Sequence, residues 1–138
     1  MSKAIVVREY GGPEILQLES VQVGNPGKGE LRIRQTCLGV NFHDVYVRSG
    51  LYKTLALPGV PGIEGVGVVE DIGSDVEGFV VGDRVTYITS AYGGYASERI
   101  LAADIAVKLP ETIDDETAAS VFLKGLTVDM LVNSVGRI

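Results

Sequence analysis

The densest group of chemically capable side chains lies between Asn41 and Tyr52, where Asn41, His43, Asp44, Tyr46, Arg48 and Tyr52 are interspersed with apolar residues. An amide and two phenols are neutral hydrogen-bond donors. They can stabilise negative charge developing on an acceptor oxygen without an added cation. A tyrosine can also release a proton, although an ordinary pKa of about 10 makes it a weak acid. A second segment, Pro61 to Val69, sets Glu64 among Gly62, Gly65 and Gly67. Each residue also has a plainer reading. Asn41 suits a helix cap, and Asp44 suits a backbone anchor or an ion pair. Tyr46 and Tyr52 divide between core packing and pocket lining. Arg48 suits an ion pair at the surface, and Glu64 a structural role.

Several chemistries are excluded by counting. His43 is the sole histidine, so a multi-histidine metal site cannot form, and it reads as a surface or packing residue rather than an acid–base catalyst. Cys37 is also alone, which removes an internal disulfide and a thiolate zinc cluster. Flanked by Thr36 and Leu38, it reads as a small buried hydrophobe rather than a nucleophile. The net charge of −6 is scattered, which opposes a nucleic-acid partner because phosphate binding needs a cationic face. There is no tryptophan and no aromatic stripe over basic residues. The N-terminal apolar run is too short for a secretion signal, and no apolar stretch is expected to reach the length of a membrane span. These features predict a cytoplasmic protein with no membrane partner.

The elements that would position these residues are short. The 138 residues are one domain by length, with 46% hydrophobic and 22% charged residues, and eighteen glycines point to a turn-rich, strand-heavy fold. Strands are predicted over 4–7, 16–23, 30–36, 66–72, 85–88, 95–101 and 105–109. In Glu30–Thr36, Leu31, Ile33 and Gln35 face one side, and Arg32, Arg34 and Thr36 the other. Asn41 to Arg48 reads as a short helix, with Asn41 as cap and Asp44 three residues on. After Pro110, the acids Asp114, Asp115 and Glu116 open a helical region over 113–132, weakened at Gly125. Lys124 and Thr127 share one of its faces. The pattern predicts a mainly β protein with short helices: a small, partly open β-barrel with a C-terminal helical segment.

Five segments in order resemble the zinc-free, zeta-crystallin-like quinone oxidoreductases of the medium-chain dehydrogenase/reductase superfamily. They are Glu9–Glu14, Gly39–Tyr52, Pro61–Val69, Gly82–Val85 and Phe122–Thr127. The resemblance runs from about Lys3 to Leu131. It implies a GroES-like catalytic domain over 1–138, which in complete enzymes faces a Rossmann domain across a cleft holding NADPH. By the same resemblance, Asn41, Tyr46 and Tyr52 would line the substrate side. Phe42, His43, Asp44, Val45 and Tyr46 would approach the cofactor, and Thr127 would lie near the nicotinamide amide. The substrate implied is a quinone or another activated carbonyl or alkene compound.

Zinc-using relatives place a cysteine where this chain has Asn41 and a histidine where it has Ile63. One carboxylate, Glu64, cannot make a tetrahedral site, so no zinc is expected. Neither Gly62-Ile63-Glu64-Gly65-Val66-Gly67 nor Gly93-Gly94 has the strand–turn–helix order of a dinucleotide cradle, so the Rossmann domain is expected to be absent. This chain alone is therefore expected to bind no NADPH and to show little activity. Its expected partners are a quinone-like small molecule and either a separate nucleotide-binding chain or a second copy. A self-associating module is the alternative reading, with Phe122, Leu123, Leu126, Met130 and Leu131 as its adhesive surface. The tail Asn133–Ile138 resembles a strand end from the family's nucleotide domain rather than a continuation of the helix.

Overall fold

The computed structural model describes residues 1–136. Strand β1 (Ser2–Val6) pairs antiparallel with β2 (Gln17–Val21). A five-stranded sheet contains β3 (Glu30–Leu38), β4 (Glu64–Ile72), β5 (Arg84–Ile88), β6 (Glu98–Ala102) and β7 (Ala106–Lys108) in the order β6-β3-β4-β5-β7. All of its pairs are antiparallel. The edge strands β6 and β7 are joined only by the 3-10 turn Ala103–Ile105. A link of three residues reaches little more than about 10 Å. The sheet must therefore curl until its opposite edges nearly meet, which gives the expected partly open barrel.

The alternation read from Glu30–Thr36 is borne out: Leu31 and Ile33 are fully buried. They pack with Val69, Val85, Tyr87 and Leu101 to fill the barrel. Gln35, on the same side, is not apolar filler. It accepts from the Tyr87 hydroxyl and donates to the carbonyls of Gly94 and Ala96. Strand β4 is buried along most of its length because both of its faces are covered. Val69 faces the barrel interior. Val66 lies beneath Ala118 and Ala119 of helix α2 (Asp115–Asp129).

Helix α2 is capped by Asp114, whose Oδ1 accepts the Thr117 N–H at 2.7 Å. It is fastened to the barrel by Asp115, which accepts from Thr36 Oγ1 at 2.5 Å and from Arg84 Nε at 2.9 Å. The Thr36 bond, together with the Arg84 cation, holds the Asp115 carboxyl below the usual range. Gly125 does not divide the helix: α2 runs through it and continues as a π-helical stretch, Met130–Gly136. The expected strand end is thus helix over Asn133–Gly136, while Arg137 and Ile138 lie outside the described residues. Asp115–Gly136 spans 22 residues and contains an 18-residue window of mean hydropathy 1.3, enough by length and composition to cross a membrane, and 11% of that window is buried. The expectation that no stretch reaches that length therefore fails. The reason is that Gly125 and the tail were read as interruptions.

The glycines of β4 are explained by close packing against β3. A β-carbon on Gly67 would lie 2.6 Å from the Arg34 carbonyl oxygen, whereas one on Gly125 would meet nothing within 4 Å. Gly67→Ala is expected to cost about 2 kcal/mol by overpacking. Gly125→Ala is expected to stabilise by up to about 1 kcal/mol through helix propensity. Urea denaturation of the two variants checks both signs.

Candidate functional site

Helix α1 (Phe42–Ser49) begins where the sequence predicts, with Asn41 extended at the N-cap and Gly50 left-handed at the C-terminal end. The Asp44 carboxylate accepts the Asn41 backbone N–H at 3.0 Å, the reciprocal half of a capping box. Asp44 is 4% exposed and also accepts the Tyr95 hydroxyl at 2.9 Å. Burial, with the Asp44 carboxylate beside it, pushes the Tyr95 phenol well above its ordinary pKa. Val47 is fully buried with Val7, Leu55 and Tyr92. The buried side of α1 is thus Asp44 and Val47, leaving Phe42, Val45 and Tyr46 exposed.

Those exposed residues form one aromatic surface. Phe42 and Tyr46 are one helical turn apart, with ring centroids at 6.3 Å. After Gly50 the chain folds back, and the Tyr52 N–H donates to the Tyr46 carbonyl at 3.0 Å. The Tyr46 and Tyr52 rings then meet edge to face at 5.3 Å. His43 packs between Tyr52, at 5.8 Å, and Tyr92, at 5.9 Å. Arg48 is used internally, donating from Nη1 to the Gly11 carbonyl at 2.6 Å.

Asn41 turns its side chain elsewhere. Its amide nitrogen donates to Glu64 Oε1 at 2.8 Å. Glu64, the first residue of β4, is 1% exposed. Its Oε1 also accepts from Lys124 Nζ at 3.1 Å, and its Oε2 from the Leu123 backbone N–H at 3.2 Å. A buried carboxylate is tolerable only when its charge and lone pairs are met in this way. Gly39 makes room for it: a β-carbon there would sit 2.3 Å from Glu64 Cγ. The carboxylate therefore ties together the start of α1, the start of β4 and the middle of α2.

The sequence assigns Glu64 a structural role and sets Lys124 beside Thr127 on one helix face. The structure joins buried Glu64 to Asn41 and to Lys124, whose side chain is half exposed. Gly39 was an available signal, because a glycine just ahead of the Asn41 cap had no other conformational task. Thr127 lies about one turn beyond Lys124, where it is exposed and donates to the carbonyl of Leu123 in its own helix at 2.9 Å. The structure thus gathers Asn41, Glu64 and Lys124 in one group and Phe42, His43, Tyr46 and Tyr52 in another. It joins Thr127 to neither by a hydrogen bond. Phe122 and Leu123 are half-buried, whereas Leu126, Met130 and Leu131 are exposed.

Two further groups bear on cofactors. Burial and the carboxylates of Asp115, Glu116 and Asp114 push the Cys37 thiol up, which opposes thiolate chemistry. Among the described residues, no three His, Cys, Asp or Glu side chains converge. Where a zinc site would need soft or imidazole donors, this chain offers an amide, Ile63 and a carboxylate already matched by an ammonium, a donor set that does not fit the metal. The Gly62–Gly67 segment enters β4, and Gly94 packs against Gly62, so these glycines serve close backbone contacts rather than a phosphate cradle.

The alcohol dehydrogenase GroES-like domain family matches residues 27–111, and the chain belongs to that family. It is 48% identical to a quinone oxidoreductase of Pseudomonas aeruginosa over 96% of this chain and 41% of that protein. It is 38% identical to a 2-haloacrylate reductase of a Burkholderia species over all of this chain and 43% of that protein. The solved Escherichia coli quinone oxidoreductase complexed with NADPH superposes with a TM-score of 0.92 at 41% identity, over 97% of this chain and 41% of the other. The resemblance to quinone oxidoreductases and the GroES-like fold expected from it are both borne out. The chain spans about two-fifths of the length of these relatives.

Removing the ammonium from Glu64 tests the buried cluster. Lys124→Met is expected to cost about 1–2 kcal/mol, below the full cost of breaking a buried pair because the ammonium is half exposed. The added change Glu64→Gln should restore part of that loss, as read by chemical denaturation.

Proposed function

We propose that this chain forms the acceptor-side half of an NADPH-dependent quinone oxidoreductase, reducing a quinone or another activated carbonyl or alkene without metal. In this reading residues 1–138 are one GroES-like catalytic domain. The 113–132 region leads towards a nucleotide-binding domain supplied elsewhere in a complete protein or by a separate chain.

The observation that carries the reading is the fixed amide of Asn41. One of its two amide hydrogens is engaged by Glu64, which leaves the second to meet negative charge on an acceptor oxygen. Tyr46 and Tyr52, held edge to face, offer hydroxyls at the end of an aromatic wall. Similarity to the quinone oxidoreductases and to the NADPH-complexed structure supports the choice of reaction. NADPH, when bound, would supply the hydride. Phe42, Val45 and Tyr46 are exposed and could cover its nicotinamide face, with Thr127 near the amide and His43 and Asp44 behind them. The pyrophosphate has no glycine cradle among the described residues, so the chain alone should hold the cofactor poorly.

Calorimetric titration of the chain with NADPH should show no saturable binding below about millimolar, and submillimolar binding would overturn the prediction. Joined to the nucleotide-binding part of a quinone oxidoreductase, the chain should support quinone-dependent NADPH oxidation. Asn41→Ala should lower kcat/KM of that assembly about a hundredfold.

A second reading is a non-catalytic, self-associating module. It is favoured by the exposure of Leu126, Val128, Met130, Leu131 and Val135 along one terminal helix. Sedimentation across a concentration range separates the two: a mass rising with concentration supports association, and a constant monomer removes it.

A further inference from the structure

The buried carboxylates Glu64 and Asp44 are matched differently. Glu64 has the Lys124 ammonium at 3.1 Å. Asp44, 4% exposed, has only neutral donors, the Asn41 N–H and the Tyr95 hydroxyl, and both reach Oδ2. Its Oδ1 is buried without a hydrogen-bond partner. A buried carboxylate oxygen left without donor or counter-ion is costly, and its persistence points to a group that completes it.

Asp44 borders a cavity of about 230 Å³. The apolar lining is Leu16, Val40, Val45 and Pro61, and the remaining polar lining is Arg48 and Tyr95. The cavity shares no lining residue with the aromatic wall of Phe42, Tyr46 and Tyr52. Arg48 follows Asp44 by one helical turn, a spacing that sets β-carbons about 5–6 Å apart and favours an ion pair. No such pair forms. Arg48 Nη1 donates instead to the Gly11 carbonyl at 2.6 Å, and among the described residues neither Asp44 nor Arg48 enters a salt bridge. The cavity is thus bordered by two opposite charges that are near each other and held apart.

These features select a ligand. An ammonium would answer Asp44 Oδ1, and a carboxylate would answer the remaining N–H groups of the Arg48 fork. The carboxyl torsion of an aspartate is broad, so a modest turn presents Oδ1 to the cavity. Because the two side chains are one turn apart, the ligand's charges must also be adjacent, and an α-amino acid carries both on one carbon. At about 30 Å³ for each water-sized atom, the cavity holds about eight, close to the number in valine. A branched aliphatic side chain would lie against Leu16, Val40, Val45 and Pro61.

We propose that this cavity binds a small aliphatic α-amino acid of the size of valine, with its ammonium on Asp44 and its carboxylate on Arg48. The site is separate from the acceptor-side reading above and requires neither NADPH nor a second domain. No bond forms or breaks on binding. The ligand supplies Asp44 with the counter-ion that Lys124 supplies to Glu64.

The test titrates the full chain, labelled with 15N, with L-valine. Saturable binding with a Kd of about 1 mM is expected for a ligand this small, with amide shifts at Asp44, Val45 and Arg48. Isobutylamine lacks the carboxylate and isovalerate lacks the ammonium, and each should bind about tenfold more weakly. Arg48→Met should weaken valine about tenfold while leaving isobutylamine unchanged, a selectivity that misfolding would not produce. Asp44→Asn should weaken valine and isobutylamine alike. Equal binding of valine and isobutylamine, or valine binding unaltered in Arg48→Met, would overturn the proposal. So would shifts confined to Phe42, Tyr46 and Tyr52, or no saturation up to the solubility limit of valine.

Discussion

A buried carboxylate at the head of β4 is the constraint around which the site is arranged. Glu64 is 1% exposed, yet it has an ammonium, an amide and a backbone N–H as partners. Those donors come from three elements that are distant in sequence. Burial of an unmatched charge is too costly for any one of them to be lost freely. The start of α1, β4 and the middle of α2 are therefore held in one relation, and the Asn41 amide takes its orientation from it. The aromatic wall of Phe42, Tyr46 and Tyr52 follows, because it is built on the helix that Asn41 begins.

The barrel supplies the rigid side of this arrangement. A three-residue link between opposite sheet edges forces the curl, and the curl sets Leu31, Ile33, Val69, Val85, Tyr87 and Leu101 against one another. Glycines allow the close spacing of β3 and β4 where side chains would collide. The outer face of β4 then receives α2 through Val66, Ala118 and Ala119, with Asp115 bonded to Arg84 and Thr36. Beyond that anchorage the helix projects Leu126, Val128, Met130 and Leu131 into solvent.

Much of this was legible in the residues. Alternation in Glu30–Thr36 marked the barrel wall, and Asn41 with Asp44 marked the start of α1, since both are local signals. Tyr46 and Tyr52 were picked out together, and the return at Gly50 brings them together. What escaped reading was non-local. Nothing near Lys124 in sequence indicates that its ammonium reaches Glu64, sixty positions earlier. Likewise, the hydrogen bond between Tyr92 and His43 joins segments that only the fold makes neighbours. The helix end differs for another reason: the tail's resemblance to a strand end outweighed Leu131, Val132 and Val135, apolar residues that continue the helix to Gly136.

The most direct test of this account is a double-mutant cycle between Asn41→Ala and Lys124→Met, two residues joined only through the Glu64 carboxylate. Unfolding free energies of the wild type, the two single variants and the double variant give the coupling. Losses that depart from additivity by about 1 kcal/mol or more are expected, because both side chains satisfy the same buried oxygen. Losses that add within about 0.3 kcal/mol would contradict the claim that Glu64 ties the helices to the sheet.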